Sequence, residues 1–158
     1  MKKIIFFSID RLGDFLIRSN VIFKVSEKYD HKEIISSDNN FKLINSQKYF
    51  DLVHKFNTKD KNFEKLKFIK KFFLQKYDSA IVFDGKNISN LILLLIKSNF
   101  KFTFLYKKKG FFNYLYLKVI IFLFNIFNIK YEYIISRDLI EKNINENYPT
   151  KYKILKKY

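Results

Sequence analysis

Residues 3–9 form an almost continuous apolar run, with Ile4, Ile5, Phe6, Phe7 and Ile9 interrupted only by Ser8, and the run stops abruptly at Asp10 and Arg11. Apolar residues at odd and even positions alike mark a strand covered on both faces, as a buried parallel sheet requires. A polar turn containing Gly13 follows, and apolar residues then recur at helical spacing. This strand, turn and helix commit the chain to an α/β arrangement. Sites in open parallel sheets lie at the carboxyl ends of the strands, and a turn there sits at the positive pole of the helix it opens.

The rest of the chain repeats the alternation. A helix is predicted over 13–29, with Leu12, Phe15, Leu16, Ser19, Ile22 and Phe23 on one buried stripe. A second strand is expected at 33–37, a short helix at 39–47 with Phe41, Leu43 and Ile44 inward, and a third strand at 51–56. Residues 62–76 are expected to form an amphipathic helix whose apolar side carries Phe63, Leu66, Ile69, Phe72 and Phe73. A fourth strand at 79–83 ends at the polar turn Asp84-Gly85. A largely buried helix over 88–97 follows, carrying Leu91, Ile92, Leu94 and Leu95, and then a fifth strand at 101–106. A short strand is expected at 131–135, a helix at 137–145 and a frayed basic tail beyond. The predicted fold class is therefore α/β: a Rossmann-like open parallel sheet of βαβ units with helices on both faces. One domain is expected, with its core in 1–106, an apolar helix and C-terminal helical region in 107–147, and a tail in 148–158.

Composition narrows the function classes. Hydrophobic residues make up 48% of the 158 and aromatic residues 20%, enough for a packed core and incompatible with a disordered chain. The absence of cysteine removes disulfide frameworks and thiolate metal sites, and His31 and His54 form no ligand cluster in the sequence. No small-residue cleavage site follows the first apolar run, so it is read as a mature strand and not as a leader. The formal charge of +16, from 31 Lys and Arg against 15 Asp and Glu, favours an anionic partner: nucleic acid, anionic lipid or a phosphorylated substrate. A general bias toward Lys, Asn, Ile, Phe and Tyr yields the same balance, and both explanations stay open. No RNP aromatics, zinc-finger spacing, Walker loop or dinucleotide glycine pattern is present, which leaves a basic nucleic-acid-binding module as the weaker class.

Residues 111–129 are apolar over nearly the length of a membrane span. Their polar members, Asn113, Lys118, Asn125 and Asn128, fall within one arc of about 140° at helical spacing. A central lysine costs about 2.5–3.5 kcal/mol in a spanning helix. The segment therefore reads as amphipathic with a wide apolar face, either packed on the sheet or lying in a membrane interface. Lys107, Lys108 and Lys109 precede it and, with Lys118, are the basic residues expected to face anionic lipid.

Asp14 is the candidate catalytic residue. A carboxylate at a strand-to-helix turn can take a proton from a hydroxyl as that hydroxyl attacks an electrophilic carbon; the competing role is a helix N-cap. Arg11 suits an anionic substrate group, or else an ion pair with Asp10 or Asp14. Gly13 points to a tight turn or a close approach. Asp84 and Lys86, in the turn after the fourth strand, are candidates for lining the same pocket, although an Asp-Gly turn needs no ligand.

Asp10-Arg11-Leu12-Gly13-Asp14-Phe15-Leu16, directly after an N-terminal strand, resembles the Arg-x-Gly-Asp-x-Leu signature of glycosyltransferase family 9, the bacterial heptosyltransferases of the lipopolysaccharide inner core. Tyr77-Asp78-Ser79-Ala80-Ile81-Val82-Phe83-Asp84 is similar to the family's Tyr-Asp-x-x-Ile-Asp strand, and the likeness covers roughly residues 1–106. It implies the N-terminal, acceptor-binding half of a GT-B enzyme, with Asp14 as general base and no metal. The reaction implied is inverting transfer of a sugar, typically heptose from ADP-heptose, onto an anionic lipopolysaccharide-type glycolipid at the inner face of the cytoplasmic membrane. The chain departs from the pattern at Arg18 and Asn20, where the family has Ser or Thr and proline. Family members are roughly twice as long, so the donor-binding half is missing from this sequence; a truncated or split gene product is expected, or a non-catalytic remnant that pairs with a separate donor domain.

Overall fold

The computed structural model describes residues 1–73, 75–106 and 111–134. Its elements run β1 (Lys3–Ser8), α1 (Leu12–Ser26), β2 (His31–Ser37), α2 (Asp38–Ser46), β3 (Leu52–Phe56), α3 (Asn62–Lys70), β4 (Lys76–Val82), α4 (Asn87–Leu95), β5 (Lys97–Tyr106), α5 (Phe111–Ile126) and β6 (Lys130–Ile134). The strands form one sheet in the order β3-β2-β1-β4-β5-β6, every neighbouring pair parallel. This is the Rossmann-like open sheet anticipated from the alternation. It runs on past residue 106, because β6 pairs with β5 from Phe102↔Lys130 to Tyr106↔Ile134. Lys107, Lys108, Lys109, the helix expected at 137–145 and the tail lie outside the described residues.

Strand β1 is central, and its alternate side chains divide the core. Ile5 and Phe7 join Ile35, Ala80 and Val82 beneath Ile69 of α3, Ile92 and Leu93 of α4, and Ile120 and Phe124 of α5. Ile4 and Phe6 join Ile34 and Ile81 beneath Phe15 and Ile22 of α1 and Ile44 of α2. So α1 and α2 cover one face and α3, α4 and α5 the other, as right-handed crossovers leaving β1 and β4 in opposite directions demand.

Helix α1 corrects the predicted stripe. Its buried side chains are Phe15, Arg18, Ile22 and Ser26, while Leu12 and Leu16 are 42% and 50% exposed. Helical spacing fits either set; the selected one turns Arg18 inward, where a buried carboxylate awaits it. The same correction applies at Phe63, Leu66 and Phe73 on and after α3, at Leu91 and Leu95 of α4, and at Leu43 of α2, all of which face outward. In each case a helix resting on a flat sheet buries a narrower strip than its apolar composition allows. Helix α3 also stops at Lys70, and tight i→i+3 bonds such as Phe72 N–H to Ile69 O (3.0 Å) lead into β4.

Helix α5 packs through Ile120 and Phe124, with Tyr116, Leu117 and Ile121 beside them. It ends in a Schellman motif: Asn128 is left-handed (φ 51), its N–H reaches Asn125 O at 3.3 Å, and Ile129 N–H reaches Phe124 O at 2.8 Å. Asn128 is thus the stop signal and not a member of the helix. No described helix is long and apolar enough to cross a membrane.

Toward the amino ends of the strands, one carboxylate ties four of them. Glu33 (β2) is buried and bonds Lys3 Nζ of β1 (2.6 Å), His31 Nε2 of its own strand (3.0 Å), His54 Nε2 of β3 (2.7 Å) and Tyr77 O–H of β4 (2.9 Å). Burial pushes the Glu33 carboxyl up, but the hydrogen bonds from His54, Lys3 and Tyr77 and the charge of Lys3 overcome it and hold the group at about 2. The two histidines therefore meet on a carboxylate, a convergence their sequence positions did not reveal.

The stripe correction has a direct test in two neighbouring residues. Phe15→Ala, at a fully buried site, is expected to cost about 3–5 kcal/mol in urea denaturation. Leu16→Ala is expected to stay within about 0.5 kcal/mol of wild type.

Candidate active site at the carboxyl edge of the sheet

The two turns singled out in the sequence close adjacent strands. β1 leads through Ile9, Asp10 and Arg11 into α1; β4 leads through Phe83, Asp84, Gly85 and Lys86 into α4. Because α1 and α4 lie on opposite faces, this pair of turns is the topological switch point of the sheet, where ligands bind in doubly wound folds.

Asp10 anchors the first turn. Its carboxylate accepts Ser8 Oγ (3.0 Å) and a very short ion pair from Arg18 Nη1, and both charged side chains are buried. Its backbone carbonyl accepts Ser37 Oγ (3.2 Å) and Asn40 Nδ2 (2.9 Å) from the β2–α2 junction. The start of α1 is therefore pinned from both sides. Asp10, Arg18, Ser37 and Asn40 were not among the predicted site residues. The available signal was an arginine on an otherwise apolar helical stripe, which requires a buried partner.

With Asp10 committed to Arg18, Arg11 is left over. It occupies the N-cap position of α1 in extended conformation, exposed, and its side chain makes no hydrogen bond or ion pair among the described residues. Asp14 is not the N-cap. It lies three residues further on, in the first turn of the helix, part-buried and engaged with the rest of the fold. The helix dipole favours its negative charge there. Gly13 lies within α1 with no left-handed backbone, and a Cβ built on it meets no atom within 4 Å. Neither a tight turn nor a close approach inside the chain accounts for this glycine. Its place in the helix costs about 1 kcal/mol relative to alanine.

The β4 turn is a staple. Asp84 Oδ2 accepts Ile9 N–H (2.9 Å) and Ser89 Oγ (2.8 Å), while Oδ1 accepts Lys86 N–H (2.8 Å). Lys86 Nζ donates to the carbonyl of the same Ile9 through a very short contact. Gly85 takes a left-handed conformation (φ 59), which explains the glycine at this turn. Asp84 is buried with all its donors inside the fold, so it binds the two turns to each other and offers nothing to a ligand. Burial pushes its carboxyl up, three hydrogen bonds pull it down, the nearby Asp10 charge raises it again, and it stands at about 6.

The edge thus presents an unspent guanidinium, a helix N-terminus with no side-chain cap, open space beside Gly13 and a part-buried carboxylate. It can hold an anionic group through Arg11 and the first-turn N–H donors, and take a proton through Asp14. Among the described residues no group of three or more His, Asp or Glu side chains is placed to hold a metal ion. What the fold defines is a Rossmann-like domain with two polar turns meeting at its switch point. No protein-family model matches the chain, and a search of curated proteins finds no relative.

Asp84 has a pH signature of its own. Its folded value, about 6, lies above the ordinary 3.8, so between these values the native state holds a proton the unfolded chain has released. Stability therefore falls as pH rises from about 4 to 6, by on the order of 3 kcal/mol at most. Glu33 acts oppositely and in a lower window, its contribution being lost as pH falls from about 4.5 toward 2. Urea denaturation of Asp84→Asn across pH 3–7 is expected to lose the decline between 4 and 6 and to keep the acid-side loss.

Proposed function

We propose that this chain is the acceptor-side domain of an inverting glycosyltransferase. A hydroxyl of an anionic saccharide would give its proton to Asp14 as it attacks the anomeric carbon of a nucleotide-sugar, whose bond to the phosphate oxygen breaks so that the nucleoside diphosphate leaves, while Arg11 and the first turn of α1 hold a carboxylate or phosphate of the acceptor. The observation that carries the reading is the placement of Arg11, Gly13 and Asp14 together on the first turn after β1 at the switch point, with Arg11 unspent. The likeness of this stretch to the heptosyltransferase signature supports the same assignment and suggests heptose, carried on ADP, as the sugar. The donor would be bound by a second Rossmann-like domain facing this edge. A lipid-linked acceptor would place the work at the inner face of the cytoplasmic membrane.

Gly13 supports the reading from another direction. A helical glycine with open space beside it, and no internal need for it, fits a position kept bare for something outside the chain to approach.

The test uses a delipidated, phosphorylated inner-core oligosaccharide, so that no membrane contributes. Calorimetric titration is expected to show about a tenfold or greater weakening for Arg11→Ala, as for a lost charge-assisted hydrogen bond. Asp14→Asn should bind within about twofold of wild type, because a base acts in the transition state. Gly13→Ala is expected to raise stability by about 0.5–1 kcal/mol while weakening the saccharide. Equal binding by all three variants would defeat the assignment, as would a preference for a single-stranded nucleic acid of equal charge.

A further inference from the structure

Helix α5 is apolar on two sides. Ile120 and Phe124 pack on the sheet, while Leu115, Val119, Phe122 and Ile126 recur at spacings of four, three and four along the outer face. All four are half exposed or more, Phe122 reaching 65%. No described element covers them. Leu91 and Leu95 of α4, in the same helical layer, are also turned outward.

The charge of this layer identifies what fits it. The charged side chains of α3, α4 and α5 are Lys65, Lys67, Lys70 and Lys118 against Glu64 alone, and Glu64 is taken up by Lys67 at 3.0 Å. Three more lysines, at 107–109, precede α5 in the sequence. Lys118 Nζ lies 4.6 Å from the centre of the Tyr114 ring, and Lys67 Nζ lies 4.6 Å from that of Phe63. Both ammonium groups thus lie over aromatic rings of this layer, so that cationic and apolar surface are interleaved on it. A second copy seated on this face would bring lysine against lysine. An anionic bilayer takes up the stripe and neutralises its border together. The α1–α2 layer has no such imbalance, its charges being Asp14 and Asp38 against Arg18, Lys24 and Lys42.

We propose that the outer face of α5, flanked by α4 and the lysines of α3, seats the protein on an anionic lipid surface with α5 lying in the plane of the interface. The choice of surface rests on exposure and charge and stands apart from the sugar-transfer reading. The helical layer would then lie flat on the bilayer, and the carboxyl edge of the sheet would open sideways at headgroup level.

Cosedimentation of the full chain with phosphatidylglycerol–phosphatidylethanolamine vesicles, beside phosphatidylcholine vesicles, tests this. Wild type is expected to prefer the anionic vesicles by roughly tenfold or more, since two lysines at about 1 kcal/mol each near an anionic surface supply that factor or better. Val119→Glu with Phe122→Glu should abolish at least nine-tenths of the binding. The uncharged pair Val119→Ser with Phe122→Ser should lose about fivefold, and both should keep the wild-type urea midpoint. Leu16→Glu with Ile17→Glu, on the opposite layer, should change binding less than twofold. Undiminished binding by the α5 variants overturns the proposal, as does the absence of an anionic preference. A wild-type dimer that the α5 variants dissolve also overturns it, by making a second copy the occupant. Saccharide binding in the absence of vesicles is decided by Arg11, so the two proposals fail separately.

Discussion

The carboxylate of Asp84 holding the backbone N–H of Ile9 is the contact on which the functional end of this molecule depends. It joins the ends of β1 and β4, neighbouring strands whose crossovers leave toward opposite sides of the sheet. Without a bond there, the two turns would be joined only by the strands below them. With Lys86 on the carbonyl of the same residue, Ile9 is held at both polar groups, and the end of β1 cannot shift without breaking both. Everything proposed for Arg11, Gly13 and Asp14 assumes a first turn of α1 fixed in this way. A buried carboxylate is a costly staple, and its raised pKa is the visible form of that cost.

Much of the fold was legible because the physics behind it is local. The apolar runs of β1 and β4, the polar turns after them and the alternation with helical spacing need no tertiary knowledge. The turn that leads to Asp14 and the turn that carries Asp84 could be assigned to one edge for the same reason. What could not be read were choices between faces. The spacing of α1 allows a stripe through Leu12 and Leu16 or one through Arg18, and only the depth of Asp10 in the turn decides between them. Likewise Glu33 looks in sequence like a polar residue at a strand start. Only the pairing of β1, β2, β3 and β4 makes it a meeting point for Lys3, His31, His54 and Tyr77. The α5 segment posed a choice between packing and lipid, and the helix has surface enough for both.

Arg18 brings a charge into the interior that has to be answered. Asp10 answers it and is thereby committed. Arg11, next to it in the chain, is left with no hydrogen bond or ion pair among the described residues.

The two ends of the sheet are built by opposite means. One buried acid collects side chains across four strands; the other collects backbone and hydroxyl donors from two turns. Strand β3, which ends the sheet on one side, carries a different burden. A bare edge is an invitation to another chain, because its unpaired amides and carbonyls can template further strands. In a protein one-fifth aromatic, that invitation would lead toward fibrous aggregation. β3 is only five residues long, and it carries Lys55, whose ammonium lies 5.9 Å from the centre of the Phe41 ring. A neighbouring sheet approaching this border would have to bury that charge for the return of a few hydrogen bonds. The short, lysine-bearing border makes such an approach costly on this side of the sheet.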